Sequence, residues 1–177
     1  MTTPAQTQLP TERNAACIRK FYEAFARLDA EAMAECYHAE ARFTDEAFID
    51  LDRESTVAMW SMLCARARNF SLTFSDIQAS DKAGSAKWEP IYLFTSTGRT
   101  VHNIISSEFE FKDGKIWRQR DRFSFYRWAR QAFGPVGWAI GWTGAMRNKV
   151  RAEAAKNLRL YMEKRGEKQN ASSEKKL

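Results

Sequence analysis

Two aspartates in this sequence could carry acid–base chemistry. Asp121 lies in a stretch where Trp117, Phe123 and Phe125 alternate with polar residues. A carboxyl enclosed by aromatic rings has its charged form penalised, which raises its pKa toward the range of a general acid or base. The competing reading is a structural acid bonded to Asn103 or to a backbone amide. Asp45 stands between Phe43 and Phe48, as a proton shuttle or as an ordinary turn residue. Gln119, Asn103 and Ser107 could orient a ligand beside Asp121 or satisfy one another. Phe21, Trp88, Trp117 and Phe123 could wall a ligand site or fill a core.

The rest of the composition narrows the chemistry. His38 and His102 are the only histidines and no CxxC occurs, so neither a zinc nor a non-haem iron site is expected, and no cofactor is implied. Cys17, Cys36 and Cys64 are dispersed in apolar periodic segments, which reads as free thiols in a reducing, cytoplasmic setting. The first ten residues lack the apolar core of a signal peptide. The net charge of +6 is local: residues 147–177 hold 10 Lys and Arg against 4 Asp and Glu, and the other 146 residues hold 18 of each. A basic helix and tail, rather than a basic folded face, argues against a nucleic-acid partner.

The elements that must position these residues follow from periodicity. Ile18, Phe21, Tyr22, Phe25 and Leu28 fall on one helical face after Pro10, with Thr11 as the expected N-cap. Asp29 and Asp52 are expected to cap two further helices, the second turning Val57, Trp60, Leu63, Cys64 and Ala67 inward. After Arg68 the apolar period changes to two, predicting four meandering strands, with Pro90 at an edge or bulge. Three helices followed by a sheet is an α+β pattern. The expected organisation is a flexible N-terminus at 1–10, one domain at 11–126, a C-terminal helical cap at 127–165 and a disordered tail at 166–177. Within the cap, residues 134–146 should close an open end of the domain and bury Trp138, Ile140, Trp142 and Met146, with the following helix packed on the body.

The turn Lys112-Asp113-Gly114-Lys115 decides which side of the sheet faces in. A two-residue Asp-Gly loop would pair Phe111 with Ile116 and Phe109 with Arg118, and would put Arg118, Arg120 and Arg122 among the aromatics. Burying unpaired guanidiniums costs several kcal/mol each. The expected solution is a three-residue loop with Gly114 in a left-handed bulge, pairing Phe111 with Lys115 and Phe109 with Trp117. It points Trp117, Gln119, Asp121, Phe123 and Phe125 inward with Asn103, Ile105, Ser107, Phe109 and Phe111. Glu108 then faces Arg118 on the outer side.

Three segments resemble the nuclear-transport-factor-2-like superfamily, which includes SnoaL-like polyketide cyclases and ketosteroid isomerases. They are Phe21-Tyr22-Glu23-Ala24-Phe25 running to Asp29, Ala41-Arg42-Phe43-Thr44-Asp45, and Phe109 to Ile116. The resemblance implies a cone-shaped curved antiparallel sheet wrapped by three N-terminal helices, with C-terminal helices added. It places Asp45 at the proton-shuttling aspartate of ketosteroid isomerases, but puts Phe21 and Ser107 where that family holds an oxyanion. Asp121 is compatible with the acid–base aspartate of the cyclases. The implied function is a hydrophobic pocket, with cofactor-independent isomerase-like or cyclase-like chemistry on a small hydrophobic compound. The alternative is a non-catalytic ligand-binding or dimeric structural domain. A homodimer is expected through the outer sheet face around His102, Ile104 and Ser106. Membrane contact by Trp138, Ile140 and Trp142 is the disfavoured use of the C-terminal segment.

Overall fold

A computed structural model describes residues 9–174. Residues 1–8, most of the expected flexible N-terminus, and 175–177 lie outside them. Helix α1 (Pro10–Ala26) begins with Leu9 as N-cap, not Thr11, and Pro10 in its first turn. Proline suits that place because its missing N–H would have no helical partner there. Ile18, Phe21, Tyr22 and Phe25 are buried on one face, as the spacing predicts. Asp29 caps α2 (Ala30–Glu35), accepting from the Ala32 amide at 3.0 Å. Asp52 caps α3 (Arg53–Arg66) through the Ser55 amide at 2.8 Å. Helix α3 buries Trp60 and Cys64 as expected, but Leu63 is exposed and Met59 and Met62 turn inward instead.

The sheet is six-stranded, curved and unclosed. Its strands are β1 (Tyr37–Thr44), β2 (Ser71–Ala79), β3 (Ala83–Phe94), β4 (Arg99–His102), β5 (Ile105–Lys112) and β6 (Lys115–Phe123). The order is β1-β6-β5-β3-β2, with β1 parallel to β6 and β4 paired to the far half of β3. Pro90 sits inside the sheet, opposite the break between β4 and β5, where its carbonyl accepts from the Asn103 amide at 3.0 Å. The amide that proline lacks therefore falls where the ladder is already interrupted. The three N-terminal helices cover one face, and Ile18, Phe21, Tyr22, Phe25, Met33, Phe43, Trp60, Trp88 and Phe109 form the main core.

The β5–β6 hairpin reaches the expected facing by another route. Its loop has two residues, Asp113 and Gly114, with φ of 53° and 72°. Two left-handed residues make the turn whose twist suits a hairpin, and Asp-Gly favours it. Phe111 accordingly pairs with Ile116, not Lys115. The register then shifts between Glu110 and Phe111, so that Phe109 pairs with Gln119 and Ser107 with Asp121. The extra residue is Trp117. It is half-buried under the Arg118 guanidinium, 4.2 Å from its ring centroid, and does not join the inner face, where Ile116 stands. Arg118, Arg120 and Arg122 point out, with Arg122 on Glu108 at 3.2 Å and Arg118 on Glu110 at 3.9 Å rather than on Glu108.

The C-terminal segment differs more. Helix α4 (Phe125–Phe133) is capped by Ser124 and supplies the closure of the sheet's end. Phe125, Trp128, Ala129 and Ala132 pack there with Val101 and Met146. Helix α5 (Pro135–Ile140) lies on α4 through Gly137, where a Cβ would come 1.9 Å from the Ala129 carbonyl oxygen. That contact turns the small residues inward. Trp138, Ile140 and Trp142, expected to be buried, are 56%, 46% and 70% exposed. Helix α6 (Gly144–Glu174) docks on the body through Leu158, with Ala154, Tyr161 and Met162 beside it. It runs beyond residue 165 into the segment expected to be disordered, a proline-free stretch in which Glu167, Lys168, Gln169 and Ala171 favour helix.

Candidate active site

Asp121 is 3% exposed and anchors a chain of buried hydrogen bonds. Its Oδ1 accepts from Ser107 Oγ at 2.5 Å and from Gln119 Nε2 at 3.1 Å. Ser107 Oγ in turn accepts from the Tyr22 hydroxyl at 2.8 Å and the Trp88 indole N–H at 3.0 Å. On the other arm, the Tyr37 hydroxyl donates to Gln119 Oε1 and accepts from the Trp60 indole N–H at 2.8 Å. An indole N–H can only donate. The two tryptophans therefore enter the chain as donors at its outer ends, and Ser107 and Gln119 present a donor each to Asp121. Ser107 uses its one proton and both acceptor positions. Burial holds the Tyr22 and Tyr37 hydroxyls well above the usual tyrosine pKa, so both remain protonated donors.

Two opposed effects act on Asp121. Burial penalises its charge, while the Ser107 and Gln119 bonds favour it, and burial wins, raising the pKa to about 7. Oδ2 has only Gln119 Nε2, at 3.2 Å, and is the oxygen able to carry a proton. Asp45 follows the same pattern in the turn after β1. Its Oδ1 accepts from the Ala47 and Phe48 amides at 2.7 and 2.6 Å. Among the described residues no hydrogen bond engages its Oδ2. Burial raises Asp45 to about 6 against those two bonds. Its charge adds to the raised values of both Asp121 and Tyr92, so Asp45 lies within electrostatic reach of each.

Residues 18–119, which take in Tyr22, Tyr37, Asp45, Trp60, Trp88, Ser107 and Gln119 and end two residues before Asp121, fit the model of the SnoaL-like domain family. The chain belongs to that family. Among solved structures, this SnoaL-like chain superposes on an LEH-like epoxide hydrolase from M. tuberculosis, with TM-score 0.61 and 16% identity over 72% of this chain and 95% of that one. A protein from Jannaschia named for a SnoaL-like polyketide cyclase gives TM-score 0.63 and 10% identity, covering 74% and 99%. A ketosteroid-isomerase-like protein from Catenulispora acidiphila, bound to trimethylamine, gives 0.60 and 13%, covering 69% and 95%. At such identities the likeness shows a shared fold. Among curated proteins none matches this chain.

Of the sequence-chosen residues of this SnoaL-like domain, Asp121, Gln119, Ser107 and Trp88 form one bonded group. Phe21 packs edge-on against Tyr22, Tyr37 and Trp60 with centroids 5.2 to 5.6 Å apart. Phe123 is half-buried where the two apolar clusters meet. Asn103 is buried at the β4–β5 break, and its Oδ1 accepts from the Ile104 amide rather than bonding Asp121. Trp117 lies outside the group, for the register reason given above. Sequence reasoning missed Tyr22, Tyr37 and Trp60. Their signal was present: a polar-tipped ring on a buried face must find a partner. The two clefts of about 450 and 760 Å³ are lined by neither Asp121 nor Asp45.

Proposed function

We propose that the chain is a cofactor-independent acid–base enzyme acting on a small hydrophobic compound, in the manner of an isomerase or a cyclase. The observation that carries this reading is a pair of carboxyls, Asp121 buried and Asp45 half-buried, each with Oδ1 fixed by donors and Oδ2 left free or weakly held, at about 7 and about 6. Burial raises both, Asp121 further than Asp45, and the less raised of such a pair serves as base and the more raised as acid. Between those values Asp45 is mostly ionised and takes a proton from the substrate carbon. Asp121 is mostly protonated and gives one to the developing oxyanion through Oδ2. Gln119 and Ser107 hold Asp121 in place, and Phe123 stands where the apolar part of the compound would lie. The Tyr22 and Tyr37 hydroxyls steady the same carboxyl from behind. The active unit is a homodimer joined through the outer sheet face, where Ile91 and Ile104 are exposed, and light scattering reports its mass.

The test is deuterium exchange at acidic carbons of a panel of small apolar ketones in heavy water, followed by NMR. Exchange should fall by roughly a hundredfold or more in Asp45→Asn and in Asp121→Asn. Equal exchange by the wild-type chain and both variants would remove the reading. One observation favours a non-catalytic domain instead: the Ser107 and Gln119 bonds are all internal, and neither cleft reaches the two aspartates. Under that reading both substitutions alter stability, and no compound in the panel exchanges or binds.

A further inference from the structure

Helix α5 inverts the usual arrangement of a surface helix. Its glycine face is seated on α4: a Cβ at Gly137 would meet the Ala129 carbonyl, and one at Gly141 would lie 2.9 Å from the Ala129 Cβ. Its large side chains face out. Val136, Trp138, Ile140 and Trp142, within seven consecutive residues, are all exposed. Exposed contiguous apolar groups mark a contact surface.

The surroundings of this patch say what the contact is with. A cleft of about 450 Å³ opens beside it, lined by Arg99, Arg127, Arg130, Gln131 and Trp138. No carboxylate lines it, and among the described residues none of these three arginines is in a salt bridge. From Phe123 to Ala152 the chain has no Asp or Glu and carries Arg127, Arg130, Arg147, Lys149 and Arg151. The Arg130 guanidinium lies 3.2 Å from the Trp138 ring centroid, a stack that leaves its N–H edges free for an anion. The Trp142 indole N–H already donates to the Ala139 carbonyl at 3.2 Å, so that ring carries no unmet donor into an apolar layer. Two copies meeting patch to patch would set arginine against arginine with no intervening acid.

We infer that α5 and the turn after it form a peripheral docking surface for an anionic phospholipid bilayer. Trp138, Ile140 and Trp142 enter the headgroup boundary, and Arg99, Arg127 and Arg130 take lipid phosphates. Apolar residues and cations together give such attachment without a spanning segment. No helix among the described residues is long and apolar enough to cross a membrane. A bilayer accepts protruding side chains without a complementary pocket, which a protein partner would have to supply.

The experiment is sedimentation of the full chain with vesicles of phosphatidylcholine alone, or with about a third phosphatidylglycerol, at about 0.1 M salt. The anionic vesicles should bind at least about tenfold more tightly than the neutral ones, with a blue shift in tryptophan emission. Trp138→Ser with Trp142→Ser, and separately Arg127→Gln with Arg130→Gln, should each lower that binding about tenfold or more and keep the wild-type melting temperature. Trp142→Ser alone, whose ring bonds only its own turn, gives a smaller loss in a fold that cannot depend on it. The inference is overturned if the wild-type chain ignores anionic vesicles, or binds neutral ones equally. It is overturned if only the arginine variants weaken binding, since the tryptophans would then not insert. A wild-type dimer that the tryptophan variant splits, with no vesicle binding, would assign the patch to a second copy. Inorganic phosphate that shifts Trp138 emission without vesicle binding would assign the cleft to a free anion.

Discussion

Replacing Asp121 by asparagine isolates its proton through stability alone. Burial moves this carboxyl from 3.8 to about 7. At about 1.4 kcal/mol per pKa unit, ionising it inside the fold costs roughly 4 kcal/mol. Because the folded value is raised, the folded chain keeps a proton that the unfolded chain has released between those limits. The contribution to stability is therefore intact below about pH 4, declines as pH rises through about 7, and is constant above that. Asp45, raised to about 6, acts in the same direction. Glu35, Glu40, Asp50 and Asp52 are lowered by hydrogen bonds to Lys20, Lys112, Arg42 and the Ser55 amide, so they act at the acid end of the range. Urea midpoints taken between about pH 5 and 8 should show the wild-type chain losing roughly 2 to 3 kcal/mol to Asp121, a slope missing from Asp121→Asn. Parallel pH curves for the two proteins would refute a raised Asp121.

Two further substitutions test the neighbours. Ser107→Ala strands the Tyr22 hydroxyl and the Trp88 indole and takes a donor from Asp121; it should cost roughly 3 kcal/mol in urea unfolding, and a loss below about 1 kcal/mol would mean the network is not closed. Gly137→Ala places a methyl against the Ala129 carbonyl, so α5 must lift, at roughly 1 to 3 kcal/mol of overpacking. An unchanged melting temperature in that variant would show that α5 is not seated on α4.

Much of the fold was legible because single residues settle it. Asp29 and Asp52 announce their helices, and the alternation from Ile105 to Phe111 reads directly as a half-buried strand. The inward facing of Asp121 was also legible, from the cost of burying three arginines. The way the chain achieves it was not, since loop length and a bulge four residues later trade off without changing the pattern. The candidate site was half legible. Asp121, Gln119 and Ser107 share a face in any register that keeps the arginines out. Tyr22, Tyr37 and Trp60 come from three other elements, and strand alternation says nothing of contacts across the core. The exposed tryptophans were misread because size was taken to mean burial, whereas the small face of α5 is the one that fits α4.

The two-residue turn and the bulge at Trp117 together act as a parity device. Between Gly114 and Gln119 the chain carries one residue more than the ladder needs, and absorbing it as a bulge keeps Gln119 and Asp121 inside. A flat ladder running through all of these residues would slip by one and exchange every side chain of the downstream strand between oil and water, turning Arg118, Arg120 and Arg122 toward Phe109. Trimming Trp117 itself would leave Phe111 opposite Ile116 and Phe109 opposite Gln119. The bulge is therefore a place where a designer can remove a surplus aromatic in a single edit without expelling the acid from the core.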